Sequence, residues 1–159
     1  MIALLRILEL VALSVWVGAI IFFSFVVAPT LSSALPQETF GRAVGALFPR
    51  YYLTCGVCAG AAILSAGALW LSGTRRGLMS LAVVIMLVAM AGATAWAGLR
   101  VLPEAREARE RMYAAAEGAP REQARLAFDA IHRRSVMLNG GTLLMGLAIL
   151  AMLAQGRKP

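Results

Sequence analysis

Charge is scarce in this chain. Of 159 residues, 15 are Lys or Arg and 8 are Asp or Glu, which makes 14% charged against about 25% in soluble domains. There is one histidine, His132, and there are two cysteines, Cys55 and Cys58. Two thiols three residues apart in an apolar run exclude a disulfide framework of the secreted kind. No GxSxG, no phosphate loop and no pair of carboxylates within one apolar run occurs, so hydrolase and nucleotide chemistry have no residues to stand on and no catalytic residue is assigned. The net charge of +7 would suggest nucleic acid in a soluble protein. Here the arginines fall between apolar runs, where they meet lipid headgroups instead, so a nucleic-acid partner is not expected.

What is there is hydrocarbon: 60% of the residues are hydrophobic. Twenty-eight uncharged residues separate Glu9 from Glu38, 24 separate Arg50 from Arg75, 23 separate Arg76 from Arg100 and 22 separate Arg134 from Arg157. About 20 apolar residues cross a bilayer as a helix, whose backbone is satisfied internally. The spacing predicts one all-α transmembrane domain over 1–159, a four-helix bundle with spans near 4–29, 51–72, 78–100 and 135–154. The first run is too long for the apolar segment of a cleavable signal peptide, so none is expected.

The connections differ in kind. Pro29 is expected to stop the first helix, with a restart at Pro36 as a short interfacial helix that carries Phe40, Val44, Leu47 and Phe48 on one face. "SGTRRG" at 72–77 is a tight turn. Residues 101–134 are expected as an extramembrane helical hairpin broken at "EGAP", 117–120, with Glu107–Arg111, Arg125–Asp129 and Asp129–Arg133 at supporting i, i+4 spacing. Ser14/Gly18, Gly56/Gly60 and Gly92/Trp96/Gly98 are expected to let helices approach closely. Both termini and the 72–77 turn then lie on one face of the membrane (face A), and the interfacial helix and hairpin on the other (face B). Face B carries ten Lys or Arg and face A five, Arg6, Arg75, Arg76, Arg157 and Lys158. The positive-inside rule puts face B in the cytoplasm. The expected location is the plasma (inner) membrane, crossed several times, with the bilayer as partner and a second copy or another membrane protein as the candidates for a further one.

Three groups of residues invite chemistry. Glu9 is a carboxylate inside the first span, with Trp16 at i+7 on the same face. It either pairs with Arg6 at the headgroups or faces the bundle as a proton or cation site. Cys55 and Cys58, with Met86 and Met90 at i, i+4 on the third span, would suit Cu(I), yet all four are also ordinary apolar fillers. His132, Ser135, Asn139 and Thr142 form one polar stripe entering the membrane from face B. Arg50, Tyr51, Tyr52 and Cys55 are expected near it by depth. The stripe is either inter-helix hydrogen-bond glue or the wall of a ligand pocket. Asn139 is expected to bond backbone carbonyls near Tyr52, Cys55 or Pro29, and Asp129 to hold the His132 ring.

"WVGAIIFFSFVVAPTL" at 16–31, "GRAVGALFPRYY" at 41–52 and "HRRSVMLNG" at 132–140 resemble a family of small four-span proteins of unknown function that includes human transmembrane protein 205. That resemblance implies the four-span fold and no established activity. Trp16 and Gly18 are also faintly similar to a His-containing Trp-x-Gly motif of the copper-resistance D-type proteins and the membrane protoporphyrinogen oxidase, with Glu9 where the histidine would stand. Glutamate is a poor axial heme ligand. The residues call for no cofactor. The functional expectation is therefore a non-enzymatic membrane protein that binds or moves a small ligand, lipid or ion, or serves as a partner subunit. The alternative is a heme- or copper-linked redox or metal-handling protein.

Overall fold

Helices far longer than a bilayer is thick build the whole domain. The computed structural model describes residues 1–155, so the face-A charges expected of Arg157 and Lys158 lie outside the described residues. Four helices run end to end: α1 Ile2–Ala34, α2 Gln37–Leu71, α3 Leu78–Ala114 and α4 Ala119–Gln155. At 33, 35, 37 and 37 residues, each is about 50–55 Å long, against about 30 Å of hydrocarbon. They alternate in direction, and α1 packs on α2 and α4 while α3 packs on α2 and α4, a closed ring of neighbours. No strand occurs among the described residues.

The bundle has a narrow apolar axis and an apolar exterior. Leu13, Trp16, Ile20, Cys55, Ala62, Leu87, Met90 and Ile149 are buried. Leu4, Val11, Leu53, Val57, Leu64, Leu99 and Leu144 are exposed, a contiguous apolar surface that makes sense only against lipid. The hairpin half is polar and laced with Glu107–Arg111, Glu117–Arg121, Glu122–Arg125 and the inter-helix pair Glu104–Arg134. The expected pairs of Asp129 with Arg125 and Arg133 do not form. Arg125 turns back to Glu122 instead, at 3.7 Å.

Prolines are handled differently from expectation. Pro29 does not stop α1. One turn before it, Phe23–Val27, is wound as a π-helix, and the α-helix resumes at Ala28. The same device precedes Pro103 in α3, where Ala97–Val101 is the π turn. A proline ring collides with the carbonyl four residues back and leaves it without a donor. Those carbonyls, of Phe25 and Leu99, lie mid-way through the two π turns, where the wider winding makes room.

Nor is 36–50 a separate interfacial helix. Gln37 begins a helix that runs unbroken through Pro49 to Leu71. Pro49 removes the donor for the Gly45 carbonyl, and the Arg106 guanidinium replaces it from α3 at 2.8 Å. Gly41 and Gly45 make the approach possible: a methyl group on either would meet Tyr113 or Arg109 of α3 at 2.7 and 2.5 Å. The chain turns between Ala34 and Gln37 at Leu35 and Pro36, in extended backbone.

The expected small-residue contacts are also displaced. An added Cβ at Gly18, Gly56, Gly60 or Gly92 would touch nothing within 4 Å. Of that set only Gly98 is pressed, by the Tyr52 ring.

Candidate functional site

Glu9 faces the bundle and is 1% exposed. Its partner is not Arg6, one turn back, but Arg75 in the α2–α3 turn. Arg75 donates Nη1 to Oε2 at 2.5 Å and Nη2 to Oε1 at 3.1 Å, the bidentate fork that guanidinium and carboxylate share. A salt bridge 66 residues apart in sequence thus ties the turn to α1. Gly73 and Gly77, at φ 72° and 105°, give the turn the left-handed corners that only glycine adopts freely. Beside the pair opens a cleft of about 310 Å³ lined by Arg6, Thr74, Arg75, Arg76 and Ser80, with Leu10, Val83 and Met152 as its apolar wall.

The polar stripe divides. Thr142 is buried and donates to the Leu138 carbonyl at 2.8 Å. Asn139 and Ser135 are half-buried. Asn139 finds the Tyr51 hydroxyl, which donates to its Oδ1 at 3.3 Å, rather than a backbone carbonyl. His132 departs from the expected inward placement. It is exposed and stacks on Phe128, centroids 5.9 Å apart, at the polar hairpin end of α4. Asp129 makes no bond to its ring. Arg50 is likewise exposed. Those two tyrosines join Phe23 and Phe48 in an aromatic cluster, with Phe23 5.0 Å from both Phe48 and Tyr51. The cluster fills the core under the α1 π turn. Replacing Tyr51 by Phe keeps the cluster and removes its bond to Asn139 of α4. It should cost about 1 kcal/mol, read as a lowered melting temperature in detergent, with Tyr52→Phe as comparison.

Cys55 and Cys58 are free thiols, both buried. Met90 is buried and packs against Gly146, and Met86 is half-buried. Among the described residues no three His, Cys, Asp or Glu side chains gather where a metal could sit. At the Glu9 position heme fits poorly: both carboxylate oxygens are held by Arg75. Two buried polar atoms, Trp16 Nε1 and Ser65 Oγ, have no hydrogen-bond partner.

A larger concavity lies at a place that the sequence had marked only for helix packing. Between the apolar stretches of α2 and α3 lies a groove of about 880 Å³. Its lining includes Gly56, Ala59, Gly60, Ala91, Ala95 and Gly98. Pro49, Pro103, Arg106 and Glu107 also line it, at its face-B end. The small-residue spacing of Gly56 and Gly60 was the legible signal for it. Its reading as helix packing failed because the glycines turn outward.

No curated protein and no solved structure matches the chain. A family model described as a domain of unknown function (DUF4149) matches residues 11–114, from α1 through the end of α3. That is well over half of the 159 residues, and the four apolar helices carry the character of a multi-pass membrane protein: the chain belongs to the DUF4149 family.

Proposed function

We propose that this protein is a non-enzymatic multi-pass protein of the plasma membrane that holds a membrane lipid in the lateral groove between α2 and α3. The groove is the observation that carries the reading. Its floor is backbone, because glycine and alanine line it. From Pro49 to Ile63 it runs about 21 Å along α2 at 1.5 Å per residue, the reach of an extended fatty-acyl chain. Its walls are apolar where the bilayer is apolar, and its polar end coincides with Arg106, fixed by its bond to Gly45. A ligand with one long apolar tail and a polar head at face B matches that division. The hairpin is taken to lie in the cytoplasm on the positive-inside count. The resemblance to the proteins that include human transmembrane protein 205 is part of this proposal for the four-span fold only and adds no activity to it.

Native mass spectrometry of the protein extracted in mild detergent tests it. The wild type is expected to carry a lipid adduct in defined stoichiometry. Gly56→Leu and Gly60→Leu project into the groove, since a Cβ at either position meets nothing within 4 Å. Both should lose the adduct while staying folded. A dimer that the two variants dissociate would assign the groove to a second copy instead. A Soret band or stoichiometric copper in the purified protein would favour the redox or metal-handling alternative.

A further inference from the structure

The cleft at face A is a different site, at the other end of the bundle. Three guanidinium groups, of Arg6, Arg75 and Arg76, line it, against one carboxylate, Glu9. Arg75 and Glu9 neutralise each other through both oxygens. Arg6 and Arg76 pair with no carboxylate among the described residues. Arg76 lies folded back over Gly73, its Nη2 3.2 Å from where a Cβ would stand. The N-terminus of α3 adds to the same field. Leu78 starts the helix with no side-chain cap and no acidic residue in its first turn, and Met79 and Ser80 line the cleft. The first-turn amides of a long helix lack intrahelical acceptors and carry the positive end of its dipole.

We propose that this cleft binds a phosphate group. Two uncommitted guanidinium forks, the Ser80 hydroxyl and the first-turn amides supply more donors than the two oxygens of a carboxylate can accept. A phosphate, with three or four oxygens, can use them. The Glu9–Arg75 pair plays a positioning part: it holds the turn, and with it Arg76 and the α3 N-terminus, against α1. The opposite wall, Leu10, Met79, Val83, Met152 and Leu153, is apolar, so the phosphate can arrive either as a lipid headgroup of that leaflet or on a small soluble molecule.

The test uses the full-length protein in an uncharged maltoside detergent, which contains no phosphate. Its melting temperature is followed against inorganic phosphate, against phosphatidic acid added to the micelles, and against chloride at matched ionic strength. A saturable rise with phosphatidic acid alone identifies a headgroup site, and one with inorganic phosphate a soluble ligand. Either supports the proposal if the double variant Arg6→Ala/Arg76→Ala weakens the response tenfold or more, roughly the loss of one good charged contact. Both side chains are exposed, so the variant should melt as the wild type does without probe. Arg76→Lys, which keeps the charge but not the fork, should fall between. No response beyond chloride, or an undiminished response in the double variant, overturns the proposal.

Discussion

Alanine at Arg75 is expected to cost about 3–5 kcal/mol of stability, the loss typical when one member of a buried ion pair is removed. Glu9, at 1% exposure, would be left with a carboxylate in the bundle and no donor to meet it. The opposite change is cheaper, because Arg75 still reaches solvent with 22% of its side chain exposed. Glu9→Gln should therefore cost less than Arg75→Ala. The double variant Glu9→Leu/Arg75→Ala should recover most of the loss, since a buried pair replaced by apolar side chains is often nearly neutral. Reversible denaturation in mixed micelles measures all three. If Arg6→Ala costs as much as Arg75→Ala, or if the double variant is as unstable as the single one, the ion pair is not what holds the turn to α1.

That pair marks the boundary of what can be read from sequence. The carboxylate in the first span was legible, as was the presence of Arg75 on the same face of the membrane. Their meeting was not. Arg6 was the local choice at i, i+3, but local spacing cannot say toward which side of a helix the bundle lies. The bundle itself was legible because hydrocarbon leaves a backbone few options: four uncharged runs had to be four helices. Their faces were not, since every side of such a helix is apolar. So Gly56 and Gly60, which advertise close packing, turn out to line an open groove, while Gly41, Gly45 and Gly146 take the close contacts.

Prolines misled for a related reason. In water a proline mid-helix is a fair stop signal. Where a helix borders the hydrocarbon the chain gains nothing by ending it, because free backbone groups would face lipid. Around Pro29 and Pro103 it widens by one π turn instead. At Pro49 it imports a donor, Arg106, from a helix 61 residues away. The stripe on α4 failed at one end only. Ser135, Asn139 and Thr142 are at least half-buried, and His132, two turns before Asn139 on the same face, is exposed.

Leucine at Gly146 is expected to cost about 3 kcal/mol, the upper part of the overpacking range. Gly146 sits where α4 meets α1 and α3 together. A Cβ there would lie 2.5 Å from Val17 Cγ2 and 3.2 Å from Met90 Cε, and both neighbours are buried. Met90 can bend away. Val17 cannot, because a β-branched side chain in a helix has essentially one rotamer, so the helices themselves must separate. The better helix propensity of leucine offsets less than about 1 kcal/mol of this. Gly18→Ala is the matched control: its Cβ meets nothing within 4 Å, and it should gain about 0.5 kcal/mol from the stiffer backbone. Trimming the obstacle should also reveal its identity. In a Gly146→Ala background, Val17→Ala should cost clearly less than it does in the wild type, a coupling that sites in contact show and distant ones do not. Strict additivity between positions 17 and 146, measured by denaturation of the four proteins of the cycle, would mean that α1 and α4 do not meet at this glycine.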